Sequence, residues 1–336
     1  MSDILYNKIK GVNGDIGQII LNRPQTLNAL TMGMLDLLHE HLDECEKNKN
    51  IKAVIIKSNC PRSFCAGGDL KKLYQCISDG IDPADFFKKE YALNAKIFHY
   101  KKPYIALLDG ITMGGGAGLS IHGSHRLATE HFCFAMPETA IGLYPDAGTA
   151  YQLSRSPNKL GMYLGLTGTT ITADDAFQMG IVTHIIKNSD LNRIEKALTD
   201  NTINSNDDIN KLLEPFKQPA QLTRLMKSSG ALEKQFSHNT IESIMDSLKG
   251  NNNSLYEQLL KRSPTSLKVT FKHFTNAANM SFDEIIKNDL TLSTNLSQGH
   301  DFLEGVRAKM IDKDDLPQWE PNSLESVTEE MVDSYF

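Results

Sequence analysis

The chain has 336 residues, 40% of them hydrophobic and 23% charged, with a formal charge of −6 and a pI near 5.9. Such values are ordinary for a globular protein and give no general attraction for nucleic acid or an anionic membrane. The length allows two average domains or one large domain with an extension. The most apolar stretches, such as Tyr104 to Leu108, are only strand length, so no membrane span is expected. Met1-Ser2-Asp3-Ile4 has neither a signal peptide's apolar core nor a transit peptide's arginine-rich character. The cysteines (Cys45, Cys60, Cys65, Cys76 and Cys133) are odd in number and form no C-x-x-C pair. Free thiols in a reducing compartment fit that pattern, which points to the cytoplasm, although a mature mitochondrial matrix form would look the same.

In chain order, Gln18 to Asn22 reads as a strand that Arg23-Pro24 ends. Thr31 can cap a helix running to about Lys47, with Met34, Leu35, Leu38, Leu42 and Cys45 on one face. Ala53 to Ile56 is a buried strand, followed by the glycine loop Cys65-Ala66-Gly67-Gly68-Asp69-Leu70 and a helical stretch. Pro103 to Leu108 makes a third strand, again followed by a glycine loop and a helix from about Gly116. Thr172 to Gly180 reads as a helix, and Ile181 to Ile186 as a strand. The alternation of strand, loop and helix argues for an α/β core with parallel strands. From about Ser189 to Asn253 the composition shifts to Asn, Asp, Ser, Lys and Gln, which suggests a helical insertion or spacer. The remainder is mostly helical, with Ser263-Pro264-Thr265 as a helix start. The expected organisation is therefore a core over residues 1–188, an insertion over 189–253 and a helical C-terminal region over 254–336.

Chemistry concentrates in Met136-Pro137-Glu138-Thr139-Ala140-Ile141-Gly142-Leu143-Tyr144-Pro145-Asp146-Ala147-Gly148, where two carboxylates stand in apolar or glycine-rich surroundings. A carboxylate kept from water has a raised pKa and can act as base, acid or nucleophile near neutrality. Gly67-Gly68 and Gly114-Gly115-Gly116 each follow a strand and precede a helix, so their backbones can approach a ligand. Two converging N–H groups make an oxyanion hole, worth roughly 3–4 kcal/mol per donor toward a transition state. Other motifs fail on spacing. A dinucleotide fingerprint starting at Gly114 meets Leu119, and a hydrolase elbow around Ser120 ends on His122. His122, His125 and His131 read as packing or surface residues rather than metal ligands.

Together, Phe64 to Leu70, Pro103 to Ala106 with Asp109-Gly110, Met113 to Gly116, and Met136-Pro137-Glu138 resemble the crotonase (enoyl-CoA hydratase/isomerase) superfamily. That resemblance implies a spiral of ββα units with a helical C-terminal region, an acyl-CoA thioester as ligand and no cofactor beyond the substrate's own CoA. It implies that the Gly68 and Gly115 N–H groups hold the thioester oxygen. The backbone of Ala66, Gly67, Asp69 and Leu70 would lie near the CoA adenine. Hydratases of the superfamily carry one glutamate after the glycine run and a second after the later proline. Here Gly118 stands at the first position and Glu138 at the second, while Asp146 stands where hydratases usually have glycine.

Within the superfamily, the branch of 3-hydroxyisobutyryl-CoA hydrolases is most similar. The match runs through Met136 to Gly148, Phe86-Phe87 with Glu90-Tyr91, His122-Gly123, Ser263 to Lys268, Gly299 to Phe302, Glu304 to Ala308, Asp312 to Asp314 and Trp319. Thr149-Ala150 departs from glycines common after the Asp. This likeness implies thioester hydrolysis in valine catabolism, with Glu138 and Asp146 as the paired acids and Glu90 completing the pocket for the 3-hydroxyl. Glu138 would activate water or attack the carbonyl itself. An enoyl-CoA isomerase or hydratase is the alternative, and a non-catalytic CoA-binding protein a third reading. A homo-oligomer is one expectation, since trimers are common in the superfamily; a C-terminal part folded over its own active site is the other.

Overall fold

In the computed structural model of the chain, residues 2–336 are described and Met1 lies outside them. Strands β1 (Ile4–Ile9) and β2 (Asp15–Leu21) form an antiparallel hairpin in which Ile4 faces Leu21. β1 carries little sequence signal because it is an edge strand, with only Ile4 fully buried. The later strands come in pairs: β3 (Ile51–Ser58) with β4 (Ser63–Cys65), β5 (Tyr104–Leu108) with β6 (Ile111–Met113), and β7 (His125–Ala128) with β8 (Cys133–Ala135). β9 (Ile171–Thr172) and β10 (His184–Ile185) complete the set. The first strand of each pair enters a sheet of order β1-β2-β3-β5-β7-β10, and the second a sheet of order β4-β6-β8-β9. This is the α/β architecture of repeated ββα units, with a helical C-terminal region.

The larger sheet is parallel from β2 to β10. Helices cover such sheets on both faces, which is why Ala53-Val54-Ile55-Ile56 and Tyr104 to Leu108 read as unbroken apolar runs. The helix Met32–Lys47 starts where the side chain of Thr31 accepts the N–H of Met34, and it buries Met34, Leu35, Leu38, Leu42 and Cys45. Two expected elements are shorter than their pattern. The helix after the second glycine loop is only Gly115–Gly118. The strand expected over Ile181 to Ile186 shrinks because the N–H groups of Ile181 and Val182 cap the preceding helix at the Ala176 carbonyl, leaving the sheet only His184–Ile185.

By chain contacts, one compact unit comprises residues 2–68, Ala92–Phe134 and Ile171–Thr223, and a second comprises Asp69–Tyr91, Ala135–Thr170 and Arg224–Phe336. The stretch expected as an insertion or spacer is helical, and it divides at Thr223. Its first half, with Ile194, Leu198, Ile203, Ile209, Leu213 and Phe216, packs on Ile16, Ala53, Ile55, Ile105 and Leu127 in the first unit's core. Its second half belongs to the second unit, with the helices Arg224–Phe236 and Ile241–Leu248. Among the described residues no helix is long and apolar enough to cross a membrane. Among the described residues no disulfide joins the cysteines, and Cys45, Cys60 and Cys65 are buried.

Candidate active site

In the first unit, main chain makes the site. β4 ends at Cys65, and the turn that follows is held by main-chain bonds from Ala66 N–H to the Leu27 carbonyl (3.1 Å) and from Leu30 N–H to the Gly67 carbonyl (2.8 Å). The amide of Asn28 supports the same turn by donating to the Phe64 carbonyl at 2.8 Å. Gly116 lets the second glycine loop sit directly on it: a Cβ there would lie 2.2 Å from the Cys65 carbonyl oxygen. Gly114, at φ 50° and ψ −126°, takes a backbone shape that L side chains rarely adopt. A Cβ on Gly67 would lie 3.5 Å from the Gly115 nitrogen, so the two loops meet main chain to main chain. As the first residue of a helix, Gly115 presents an N–H with no partner inside that helix.

The acids gather in the second unit. Glu138 opens the 3-10 turn Glu138–Ile141, which Gly142 closes at φ 73°. Glu90 lies on the helix Ala84–Phe98, and Asp146 precedes two left-handed residues, Ala147 and Gly148. All three are buried, at 3% (Glu90), 6% (Glu138) and 8% (Asp146) of their full exposure. Burial raises Glu138 well above the ordinary carboxylate range, and the charges of Asp146 and Glu90 push it further. Burial and then Asp146 do the same to Glu90. Asp146 is pushed up to about 7 by burial, although the Tyr91 hydroxyl draws it back. One oxygen each of Glu138 (Oε2) and Glu90 (Oε1) is buried without a partner in the fold. Buried polar atoms are nearly always satisfied, so such orphans mark where a ligand or water belongs. The three acids repel one another and cannot all ionise together, which keeps protons available near neutral pH.

Side chains from distant parts of the chain hold this cluster. Tyr91 donates to Asp146 Oδ2 at 2.5 Å, and its oxygen lies 2.5 Å from Ser293 Oγ. Ser293 Oγ is in turn 3.1 Å from the Tyr144 hydroxyl, which donates to the Asp289 carbonyl (2.9 Å) and to Asp289 Oδ1 (3.2 Å). The N–H of Gly148 donates to Asp289 Oδ2 at 2.7 Å, and His273 Nε2 stands 3.0 Å from Oδ1. Thr149, at a position where glycine is common in the resembled branch, donates its hydroxyl to the Asp146 carbonyl at 2.7 Å and so fixes the turn. The Glu138 turn is clasped by the C-terminal region. A Cβ on Gly142 would fall 2.2 Å from the Asp301 carbonyl carbon and oxygen, and one on Gly305 would fall 2.4 Å from Ile141 Cα. Ser263 N–H donates to the Thr139 carbonyl at 3.1 Å, and Ser263 Oγ donates to Asp301 Oδ2 at 2.5 Å. The structure gathers Glu90, Glu138 and Asp146, the acids singled out from the sequence, and adds Tyr144, Asp289, Ser293 and His273, which no local spacing links to them.

Asp69 caps the helix Leu70–Ser78, its side chain accepting the Lys72 N–H at 3.3 Å. Of the three histidines, His125 is buried, His122 half-buried and His131 exposed. Among the described residues no cluster of His, Cys, Asp and Glu could hold a metal ion.

The family model described as Enoyl-CoA hydratase/isomerase matches residues 16–336. The chain belongs to that family. Within it, the chain is 41% identical over 345 residues to the 3-hydroxyisobutyryl-CoA hydrolase, mitochondrial, of Danio rerio, covering 100% of this chain and 89% of that protein. It is 42% identical over 333 residues to the protein of the same name in Xenopus laevis, covering 96% and 86%. Among solved structures, a carnitinyl-CoA dehydratase from Mycobacterium thermoresistibile superposes with a TM-score of 0.91 at 32% identity, over 100% of this chain and 96% of that one. These relatives correct one expectation. The cytoplasmic placement drawn from the sequence is overturned by hydrolases that are named mitochondrial. Thiols outside disulfides suit any reducing compartment and do not separate the two.

Proposed function

We propose that this family member hydrolyses 3-hydroxyisobutyryl-CoA to 3-hydroxyisobutyrate and CoA. In one route Glu138 takes a proton from water as that water attacks the thioester carbonyl; the C–S bond breaks, and the departing sulfur takes the proton back from Glu138. In the other, Glu138 attacks the carbonyl itself, the sulfur leaves with a proton from protonated Asp146 or Glu90, and water then hydrolyses the mixed anhydride, restoring Glu138 and returning the proton. The Gly68 and Gly115 N–H groups receive the oxyanion, and Asp146 and Glu90 bind the 3-hydroxyl. The main chain of Ala66, Gly67, Asp69 and Leu70 lies beside the CoA adenine. The observation that carries this reading is Gly118. It is buried, and it offers no carboxylate where the family's hydratases place the first of their two acids. With Glu138 alone of that pair, a buried base next to an acyl carbonyl supports cleavage rather than addition of water across a double bond. The hydrolases' higher identity points the same way. Self-association into a homo-oligomer is part of the proposal and is checked by light scattering.

A second reading, water addition or removal, is favoured by the name of the solved dehydratase. One experiment decides between them. The protein is incubated with 3-hydroxyisobutyryl-CoA and separately with crotonyl-CoA, following free thiol and the enoyl absorbance. Thiol from the first alone supports hydrolysis; loss of the enoyl absorbance without thiol release overturns it. Single turnover in ¹⁸O-water followed by mass analysis of the Glu138 peptide then distinguishes base from nucleophile, since only an acyl-enzyme route labels the side chain.

A further inference from the structure

Asp146 and Asp289 are joined by three hydroxyls, and the number of protons does not fit two ionised acids. The links are Asp146–Tyr91, Tyr91–Ser293, Ser293–Tyr144 and Tyr144–Asp289. Each hydroxyl owns a single proton, so three protons must serve these four links and the Asp289 carbonyl, which lies 2.9 Å from the Tyr144 oxygen and can only accept. With both carboxylates ionised, one buried contact faces lone pair against lone pair. A single added proton on Asp146 satisfies every link and the Asp289 carbonyl as well; on Asp289 it satisfies the four links and gives up the bond from Tyr144 to that carbonyl. With the proton on Asp289, each hydroxyl donates toward Asp146; with it on Asp146, each donates toward Asp289. Tyr91, Tyr144, Ser293 and Asp289 are all fully buried or nearly so, which excludes water as an alternative donor.

We propose that Tyr91, Ser293 and Tyr144 relay one proton between Asp289 and Asp146, so that Asp146 can be neutral while Glu138 is charged. The proposal rests on reading Asp146 as an acid at the acyl group. When Glu138 loses its proton, a like charge on Asp146 opposes it, as does one on Glu90. One proton hop on each link moves the negative charge from Asp146 to Asp289. There the Gly148 N–H donates to Oδ2, and His273 stands 3.0 Å from Oδ1. The groups facing Asp146 are Glu138, Glu90, Tyr91, Tyr144 and, through the relay, Asp289. No proton is created or lost; the charge only changes ends. Tyr91, Ser293 and Tyr144 are thus positioning residues that act through Asp146.

The test is the pH profile of thiol release by Ser293→Ala. Without the middle hydroxyl, Tyr91 has only Asp146 to donate to, and Asp146 stays ionised. The rising limb of kcat/KM then moves to higher pH by about one unit, so that the rate on the lower part of that limb falls about tenfold and recovers above it. Tyr144→Phe shifts the limb in the same direction, and serves if Ser293→Ala melts below the assay temperature. A uniform drop in rate at every pH, or an unmoved limb in a folded variant, overturns the relay. Asp146→Asn separates the two readings. If it keeps the full rate, the role of Asp146 at the acyl group fails. If it loses the rate while Ser293→Ala keeps the parent profile, only the relay fails.

Discussion

The glycine loops and the acid cluster reach similar ends by opposite construction. Around Gly67, Gly68 and Gly114 to Gly116 the proposed site is main chain, and its placement follows from where side chains are missing: any Cβ at 116 would strike the Cys65 carbonyl. Around Glu138 the fold presents side chains, and what holds those side chains comes largely from other parts of the chain. Tyr91, Ser293, Tyr144 and Asp289 hold Asp146, while Asp301 and Ser263 hold the Glu138 turn. A site of backbone tolerates changes of chemistry and fails on changes of volume. A site of side chains does the reverse, and its cost is the desolvation of three acids.

That contrast is broken most severely at Glu138. Glu138→Gln keeps volume and removes the proposed base or nucleophile, so kcat is expected to fall by about 10³-fold with KM little changed, measured by thiol release. A comparable fall in kcat from a purely steric change in the acid cluster would blur the distinction. The matching change in the loops is Gly116→Ala, which alters no functional group. It is expected to destabilise the fold by about 3 kcal/mol or more, read from denaturant unfolding, because the opposing atom is backbone and cannot swing aside.

Asp146→Asn sharpens the comparison in two ways. Discrimination between 3-hydroxyacyl-CoA and the same ester lacking the hydroxyl should fall by about 10–100-fold in relative kcat/KM. Stability should move the other way. The folded pKa of Asp146 is raised to about 7 from 3.8, so the folded state holds a proton that the unfolded chain has released. Stability therefore drops as pH rises from about 4 through 7. The Asn variant escapes that loss, and its Tm should exceed the parent's by a few °C at pH 8, with the gap closing toward pH 4. An equal gap at both pH values would mean the acid is not strained by burial. The smallest effect is expected from Asp69→Ala: about 1 kcal/mol from the lost cap, with KM for the CoA ester within about twofold, since its side chain serves the helix.

The difference between the regions also explains what could be read from the chain beforehand. A main-chain site is written locally, as glycines after a strand, and the loops at Gly67-Gly68 and Gly114-Gly115-Gly116 were legible for that reason. So was the Thr31 helix, whose buried face repeats at helical spacing. Glu138 and Asp146 were visible as charges out of place in apolar sequence, whereas Glu90, beside Lys88 and Lys89, was named only through the family resemblance. Their supports were not: Tyr91 and Ser293 are separated by 202 positions, and neither residue type is unusual where it stands. β1 escaped because a half-exposed edge strand has no run of apolar residues, and the 189–253 stretch read as a spacer because its polar composition hides Ile194, Leu198 and Ile209.

The contact between Gly142 and Asp301, and between Gly305 and Ile141, bears on the order in which the protein becomes competent as it is made. The turn carrying Glu138 leaves the ribosome more than 150 residues before the helix that braces it. Until residue 305 emerges, that turn has no partner across its glycine and the acid has no fixed address. Thioester cleavage by stalled nascent chains of graded length would therefore switch on late and abruptly, marking the arrival of a single helix.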